Sequence, residues 1–425
     1  MDAVLICGIS FVIFSLIIRI PVAFAVGMSA VLYGLVTGRI PMEAMTHRMT
    51  LATESWPIMA VPFFVLMGNA LNQGKSGRSL MDLANCLVGT IWGGLASVSI
   101  VISMFFGGCS GSAVADASSV GTVLIPEMIR RGYGKGYSAA VNAASSTIGI
   151  IIPPSIPMIL YGWITETSIR KLFLAGLIPG VSVGLVQIAV AAFLGYKRHY
   201  YRAERPGKKV IWDHFKKSLP AMFTPILVMG GILIGAYTTT EAAIIGALYV
   251  ILVEVLIYKG MKISDLYRII IDSAKMTGVV LFLIATSFML TYVILLSRVP
   301  VIVTAYLQPL IPNATVALLV IAGILLVTGC FLDLAPALLI FTPIIYPFAL
   351  KFGIDPIHLG VVIVMVLGIG LFTPPVGQTL YISALIAEAP IEVVSRDILW
   401  FIGSIVIVVS LVIFVKPLTM WLAAF

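Results

Sequence analysis

Apolar residues in this chain come in long runs, and the polar breaks between them recur at the roughly 17 to 25 residues that cross a hydrocarbon core of about 30 Å. Helical spans are predicted at 3–18, 20–37, 51–71, 137–164, 172–195, 219–236, 241–258, 274–295, 357–382 and 397–420. Two further regions, 92–129 and 313–350, are too long for one crossing and are interrupted midway by small or polar residues. Both read as re-entrant hairpins, since irregular backbone at membrane depth survives only inside protein or beside a water-filled cavity. The predicted fold class is an all-α polytopic membrane protein.

The second half repeats the first at a constant offset of 221 residues: Gly108 meets Gly329, Pro126 meets Pro347, Gly132 meets Gly353, and Pro153-Pro154 meet Pro374-Pro375. Matches concentrated on residues that bend or break helices indicate a true repeat. The first repeat is set at 1–196, with scaffold helices over 3–71, hairpin 92–129 and broken helix 137–164. A basic linker, 197–217, joins it to the second repeat, 218–425, with scaffold helices 219–295, hairpin 313–350 and broken helix 357–382. Five crossings per half invert the second repeat relative to the first. The linker carries eight Lys and Arg between Lys197 and Lys217, so it is assigned to the cytoplasm, which puts both termini on the periplasmic side.

Composition agrees with the spans. Sixty per cent of residues are hydrophobic, ten per cent are charged and the mean hydropathy is +1.12, which excludes a soluble globular domain. The amino terminus lacks a basic leader and an A-x-A site and reads as a retained helix. A net charge of +8 is mostly a topology signal, not a nucleic-acid footprint. The cysteines Cys7, Cys86, Cys109 and Cys330 lack metal spacing. No nucleophile with a base and no metal cluster stands out, so an enzyme is not expected.

Inverted repeats with paired hairpins and interrupted helices are the plan of secondary transporters. In "SSTIGIIIPPSIPMILYG", Pro153 and Pro154 withhold two backbone donors and free carbonyls of the preceding turn, which suit a cation. The half-helix after them directs N–H groups and a partial positive charge into the same space, which suits an anion. Predicted sodium ligands are Ser110, Gly111, Ser112, Asn142 and Gly149, with Gly329, Asp333, Gly370, Thr373 and Gly377 framing the mirror image. Predicted substrate contacts are Ser112, Ser145, Thr147, Ser155, Asp333 and Arg298. Asp333 falls at the position matching Ser112 and is a functional candidate by its depth. Asp116 either serves the site or pairs within its hairpin. Arg298 either clamps a carboxylate or sits in the interface, and the Ser and Thr residues equally serve as interhelical glue.

The strings "GGCSGSAVADASSVGTVLIPEMIRRGYGKGYSAAVNAASSTIGIIIPPSIPMILYG" and "FLDLAPALLIFTPIIYPFALKFGIDPIHLGVVIVMVLGIGLFTPPVGQTLY" resemble the large membrane subunit of tripartite ATP-independent periplasmic (TRAP) transporters, the DctM type. The resemblance covers essentially the whole chain. It implies a bacterial inner-membrane, sodium-driven importer of organic acids with an elevator architecture. Its implied partners are a small four-helix membrane subunit and a periplasmic substrate-binding protein. Where many members carry "ISGSSPATVA", this chain has "CSGSAVADAS", which resembles the sialic-acid branch. Sialic acid is therefore the first expectation for the substrate, and a C4-dicarboxylate or sugar acid the second. A self-sufficient sodium/anion symporter of related architecture is the alternative.

Overall fold

The computed structural model describes residues 20–38 and 41–424, without the side chains at 108, 109 and 263; the span predicted at 3–18 lies outside them. Described secondary structure is entirely helical. The first-repeat helices are α1 (Val22–Thr37), α2 (Met42–Thr53), α3 (Ala60–Gln73), α4 (Ser76–Val88), α5 (Gly94–Ser110), α6 (Ala113–Arg130), α7 (Lys135–Ser145), α8 (Ile156–Thr165) and α9 (Ile169–Lys197). The second repeat continues with α10 (Lys208–Leu233), α11 (Thr239–Leu252), α12 (Ile263–Leu296), α13 (Val299–Leu307), α14 (Ala314–Gly329) and α15 (Leu334–Lys351). It closes with α16 (Pro356–Gly370), α17 (Gln378–Ile386), α18 (Ile391–Phe414) and α19 (Pro417–Ala423).

The 221-residue offset holds at the level of single bonds. Helix α6 maps onto α15 end to end, and Ser112 and Asp333 are the N-cap residues of the two. The turn leaving α6 is closed by Tyr133 N–H donating to Met128 O at 3.0 Å. Its image is Ile354 N–H donating to Ala349 O at 3.2 Å. Gly132 and Gly353 both have positive φ, at 84° and 68°, and both Pro-Pro bonds are cis. The predicted hairpins are the helix pairs α5/α6 and α14/α15, and the predicted broken helices are α7/α8 and α16/α17.

Three expectations are corrected. The span placed at 51–71 is two elements, because the stretch from Met42 bends by 54° before the Trp56–Gln73 segment. Its image, α12, runs unbroken for 34 residues, so the halves are not superposable there; the chain leaves the helix at Ser55, whose backbone is extended (φ −73°, ψ 132°), and Pro57 then sits in the first turn of the short 3-10 helix Trp56–Met59, where its missing N–H costs nothing. The linker is not a free loop over 197–217. Only 198–207 is non-helical, since Lys208 already starts α10. Its residues are pinned by Ala203 N–H donating to Gly89 O at 2.9 Å and by Arg131 and Arg202 stacked on Tyr201 and Trp92. Finally, the connectors α4 and α13, between scaffold and hairpin, were not anticipated.

By length and composition, five described helices could cross a membrane alone, and a sixth crossing is the bent pair Met42–Gln73. One of the five is the hairpin arm α15. The broken helices are shorter and lie innermost: every residue of α7 from Gly136 to Ser145, and of α16 from His358 to Gly370, is buried. A helix apolar all round belongs in the core, and this core buries the helix that leads into each break.

Candidate functional site

Each hairpin crosses its broken helix at a glycine. A Cβ on Gly107 of α5 would overlap Cα of Gly149, and one on Gly370 would overlap the backbone of Gly329. Backbone contact this close requires glycine on both sides of the first crossing and at Gly370 in the second, where a Cβ on Gly329 would stand 3.4 Å from Gly370 Cα. At the first tip, Gly111 (φ 58°) leaves so little room that a Cβ would stand 2.9 Å from Ile156 N and 3.4 Å from Pro154 O. The hairpin tip therefore rests on the N-terminus of half-helix α8, where free N–H groups concentrate.

The two breaks also interlock. Thr379 of α17 donates its hydroxyl to Ala143 O of α7 at 3.0 Å, and Asn142 donates to Ser383 Oγ at 2.9 Å. A Cβ on Gly368 would stand 3.0 Å from Ile150 Cδ1. Sequence reasoning had not included Thr379 or Ser383, whose one-turn spacing on a short apolar helix was the available signal.

One of the carbonyls freed by each Pro-Pro is already taken. Ile150 O accepts from the Ser155 hydroxyl at 2.5 Å, and its image, Leu371 O, accepts from Thr379 N–H and hydroxyl, both at 3.0 Å. Ser155 in turn accepts from Met158 N–H at 3.3 Å, capping α8. At each break one freed carbonyl is thus spent within the protein.

The unclaimed acceptors lie deeper between the hairpin and α7. Asp116 is fully buried, and neither carboxyl oxygen has a hydrogen-bond partner among the described residues. Ser103 lies beside this carboxyl and donates to Ser145 Oγ at 3.2 Å, with Ser99 Oγ 3.5 Å from the same atom. Asn142 donates to Ala117 O at 2.8 Å, next to Asp116 in the chain, while its own Oδ1 is left without a partner. Buried polar groups are nearly always paired. Three bare acceptor oxygens in one small-residue cluster call for a cation or a proton. Ser99 and Ser103 were not among the predicted ligands, and Asp116 was left open between the site and its hairpin; the i, i+4 serines of α5 were the missed signal.

Of the predicted first-half ligands, Ser110, Gly111 and Ser112 share the tip. Ser110 is buried against Gly68, Ser112 N–H donates to Ser110 Oγ at 3.4 Å, and Ser112 Oγ accepts from Ala115 N–H at 3.4 Å. Thr147 donates to Ala144 O at 2.8 Å along its own helix. In the second half, Asp333 accepts from Leu334 N–H at 2.8 Å, Thr373 donates to Ile369 O at 2.6 Å, and Gly377 caps α17 with φ 41°. Arg298 stands exposed at the left-handed junction of α12 and α13 and makes no hydrogen bond or ion pair with another candidate residue. The second break is more open than the first: Pro153 and Pro154 are buried, whereas Pro375 is exposed.

The family model described as "Tripartite ATP-independent periplasmic transporter, DctM component" matches residues 9–418. The C4-dicarboxylate TRAP transporter large permease protein DctM of Pseudomonas aeruginosa is 32% identical over 396 residues, 93% of both chains. The sialic acid TRAP transporter permease protein SiaT of Haemophilus influenzae is 33% identical over 395 residues, which is 93% of this chain and 64% of that one. Among solved structures, the Alcanivorax borkumensis YdaH transporter, described as having an unusual topology, is similar with a TM-score of 0.57 at 16% identity, covering 88% of each chain. That likeness supports the fold alone. With a match this long to the family, and the mirrored hairpins and breaks in place, this chain belongs to the DctM family of TRAP transporter large permease components.

Proposed function

We propose that this chain imports an organic acid anion across a bacterial inner membrane, driven by sodium, as the large permease of a binding-protein-dependent transporter. The observation that carries the sodium half is the buried Asp116 carboxyl, unpaired among the described residues, with Asn142, whose Oδ1 is likewise unpaired, bonded to the next residue of the same hairpin arm, Ala117 O, at 2.8 Å. Oxygen acceptors in a flexible, small-residue setting suit a hard monovalent cation. The half-helix N-terminus under Gly111 suits the anion. Asp116, Asn142 and Ser145 would hold one ion, and Asp333 with Thr373 and the Gly329–Gly370 crossing would frame its mirror image.

The basic linker, placed in the cytoplasm, orients the molecule. Hairpins and broken helices then move as a block against α1–α3 and α10–α12, an elevator motion. Ion and anion must bind the outward and inward states with different affinities for that motion to be biased. Sialic acid is the substrate favoured by "CSGSAVADAS"; near-equal identity to the sialic acid and C4-dicarboxylate relatives keeps a dicarboxylate as the second choice. The third of SiaT without a counterpart here fits a second membrane subunit, which this chain would take as a separate four-helix partner, with a periplasmic binding protein delivering substrate.

The test is uptake into liposomes holding both membrane subunits, with binding protein outside. Accumulation should follow an imposed inward sodium gradient and stop without the binding protein. Uptake indifferent to sodium removes the coupling. Uptake that persists without the binding protein favours a self-sufficient symporter.

A further inference from the structure

A cavity of about 400 Å³ lies between scaffold helix α3, connector α4 and hairpin arm α6, and its walls include Asn69, Asn72, Gln73, Arg78, Ser118 and Ser119. A second cavity, of about 340 Å³, continues from it, with Arg78, Met81 and Val123 common to both. Its outer wall carries Arg130 and Arg131, which hold Glu127 at 2.6 and 2.9 Å. Among the described residues, Arg78 is the cation in these walls that no carboxylate pairs. The Ser118 and Ser119 hydroxyls donate along their own helix, to Ala115 O at 2.9 Å and Asp116 O at 3.3 Å, leaving oxygen lone pairs toward the cavity. Asn72 Oδ1 is buried without a partner among the described residues.

The mirror image is not polar. The positions 221 residues on from those six are Leu290, Val293, Ile294, Val299, Leu339 and Ile340. There the seam is shut: Val293 and Leu339 are buried, and Thr291 of α12 reaches Leu339 O of α15 at 3.5 Å. A repeat-related pair of seams, one open and polar, one closed and apolar, is what a carrier caught facing one side presents. The open seam lies on the side of the basic linker and of Arg130 and Arg131.

We infer that this cavity is the cytoplasmic leg of the anion's route and that Arg78 receives the carboxylate there as it leaves the central site. The inference rests on the reading of the chain as an anion importer with a cytoplasmic linker. An organic carboxylate leaving the breaks needs replacement for its hydration, and in the first cavity the Arg78 guanidinium among amides and hydroxyls supplies it; the carboxylates Asp82 and Glu127 line only the second, outer cavity, where they would hasten the anion's release. The apolar outer seam offers no such replacement, which suits an anion handed over by a binding protein instead of collected from solution.

The test places Ser119→Cys in a chain with Cys7, Cys86, Cys109 and Cys330 replaced by Ala, in complex with its membrane partner in oriented vesicles. A membrane-impermeant thiol reagent should label it from the cytoplasmic face at least tenfold faster than from the periplasmic face. Succinate and N-acetylneuraminic acid are the probes, and one of them at millimolar concentration should slow labelling. Arg78→Gln should abolish that protection, and Arg78→Lys should keep part of it. Equal labelling from both faces, or no protection by either probe, or protection that survives Arg78→Gln, overturns the inference. Uptake that ignores sodium while one-sided labelling and protection persist strikes the coupling claim and leaves the route standing.

Discussion

The buried carboxylate of Glu254 in α11's π-helical extension accepts hydrogen bonds from the backbone N–H groups of Lys75 and Ser76, each at 2.9 Å. The positions 221 residues away from Glu254 and Ser76 are Tyr33 and Ser297, and there the Ser297 hydroxyl donates to the Tyr33 phenol oxygen at 2.9 Å. Both pairs tie the start of a scaffold-to-hairpin connector, α4 or α13, to a scaffold helix of the other repeat. The chemistry differs: a carboxylate at a helix N-terminus meets free donors and the favourable end of the dipole, whereas the mirrored pair is one neutral bond.

Glu254→Ala strands two backbone donors, that of Ser76 buried and that of Lys75 half-buried, at a cost of about 2–4 kcal/mol, while Tyr33→Phe loses about 1 kcal/mol. Thermal unfolding in detergent should therefore rank Glu254→Ala well below Glu254→Gln, and Tyr33→Phe close to the parent. Equal melting of Glu254→Ala and Tyr33→Phe would show that the charged clamp adds nothing.

The glycine crossings should resist any side chain. Gly107→Ala or Gly149→Ala drives a methyl into opposing backbone, a case of overpacking that costs about 1–3 kcal/mol or more. Gly278→Ala has open space around it and gains up to about 1 kcal/mol of helix propensity. Folded yield by size-exclusion chromatography should fall for the first two and hold or rise for the third.

Asp116→Asn keeps the shape of a side chain whose carboxyl oxygens bond no described residue, so the fold should survive. Half-saturating sodium for uptake should rise about tenfold or more, in line with the loss of one charged ligand worth about 1.5–3 kcal/mol. Loss of folded protein, with sodium dependence unchanged in what remains, would make Asp116 a structural residue. Asp333→Asn, measured in parallel, tests the mirrored position in the same way.

Thr379→Val removes the hydroxyl that bonds both Ala143 O and Leu371 O. The interlock of the two breaks should weaken by about 1–3 kcal/mol, seen as a lower melting temperature, with Thr379→Ser restoring most of it. Unchanged stability in the Val variant would mean that packing alone holds the breaks together.

Much of the architecture was legible in the chain because bilayer crossing is a local property: run length, helix breakers and basic linkers speak without their neighbours. Ser112 and Asp333, paired by subtraction alone, do cap corresponding helices. The bend before Trp56 and the connectors α4 and α13 escaped, since short or half-polar helices carry no such signature.

What the residues determined unaided was the pair of mirrored breaks, because a proline cannot donate wherever it sits. Which polar atoms remain unsatisfied was decided only by the packed fold. Ser155, an expected substrate contact, spends its hydroxyl on Ile150 O, whereas Asp116, left open between site and hairpin, has two carboxyl oxygens with no described partner. Hydrogen-bond satisfaction depends on groups brought together from distant segments, as Asn142 meets Ser383 across 241 positions, and no reading of one segment at a time contains that sum.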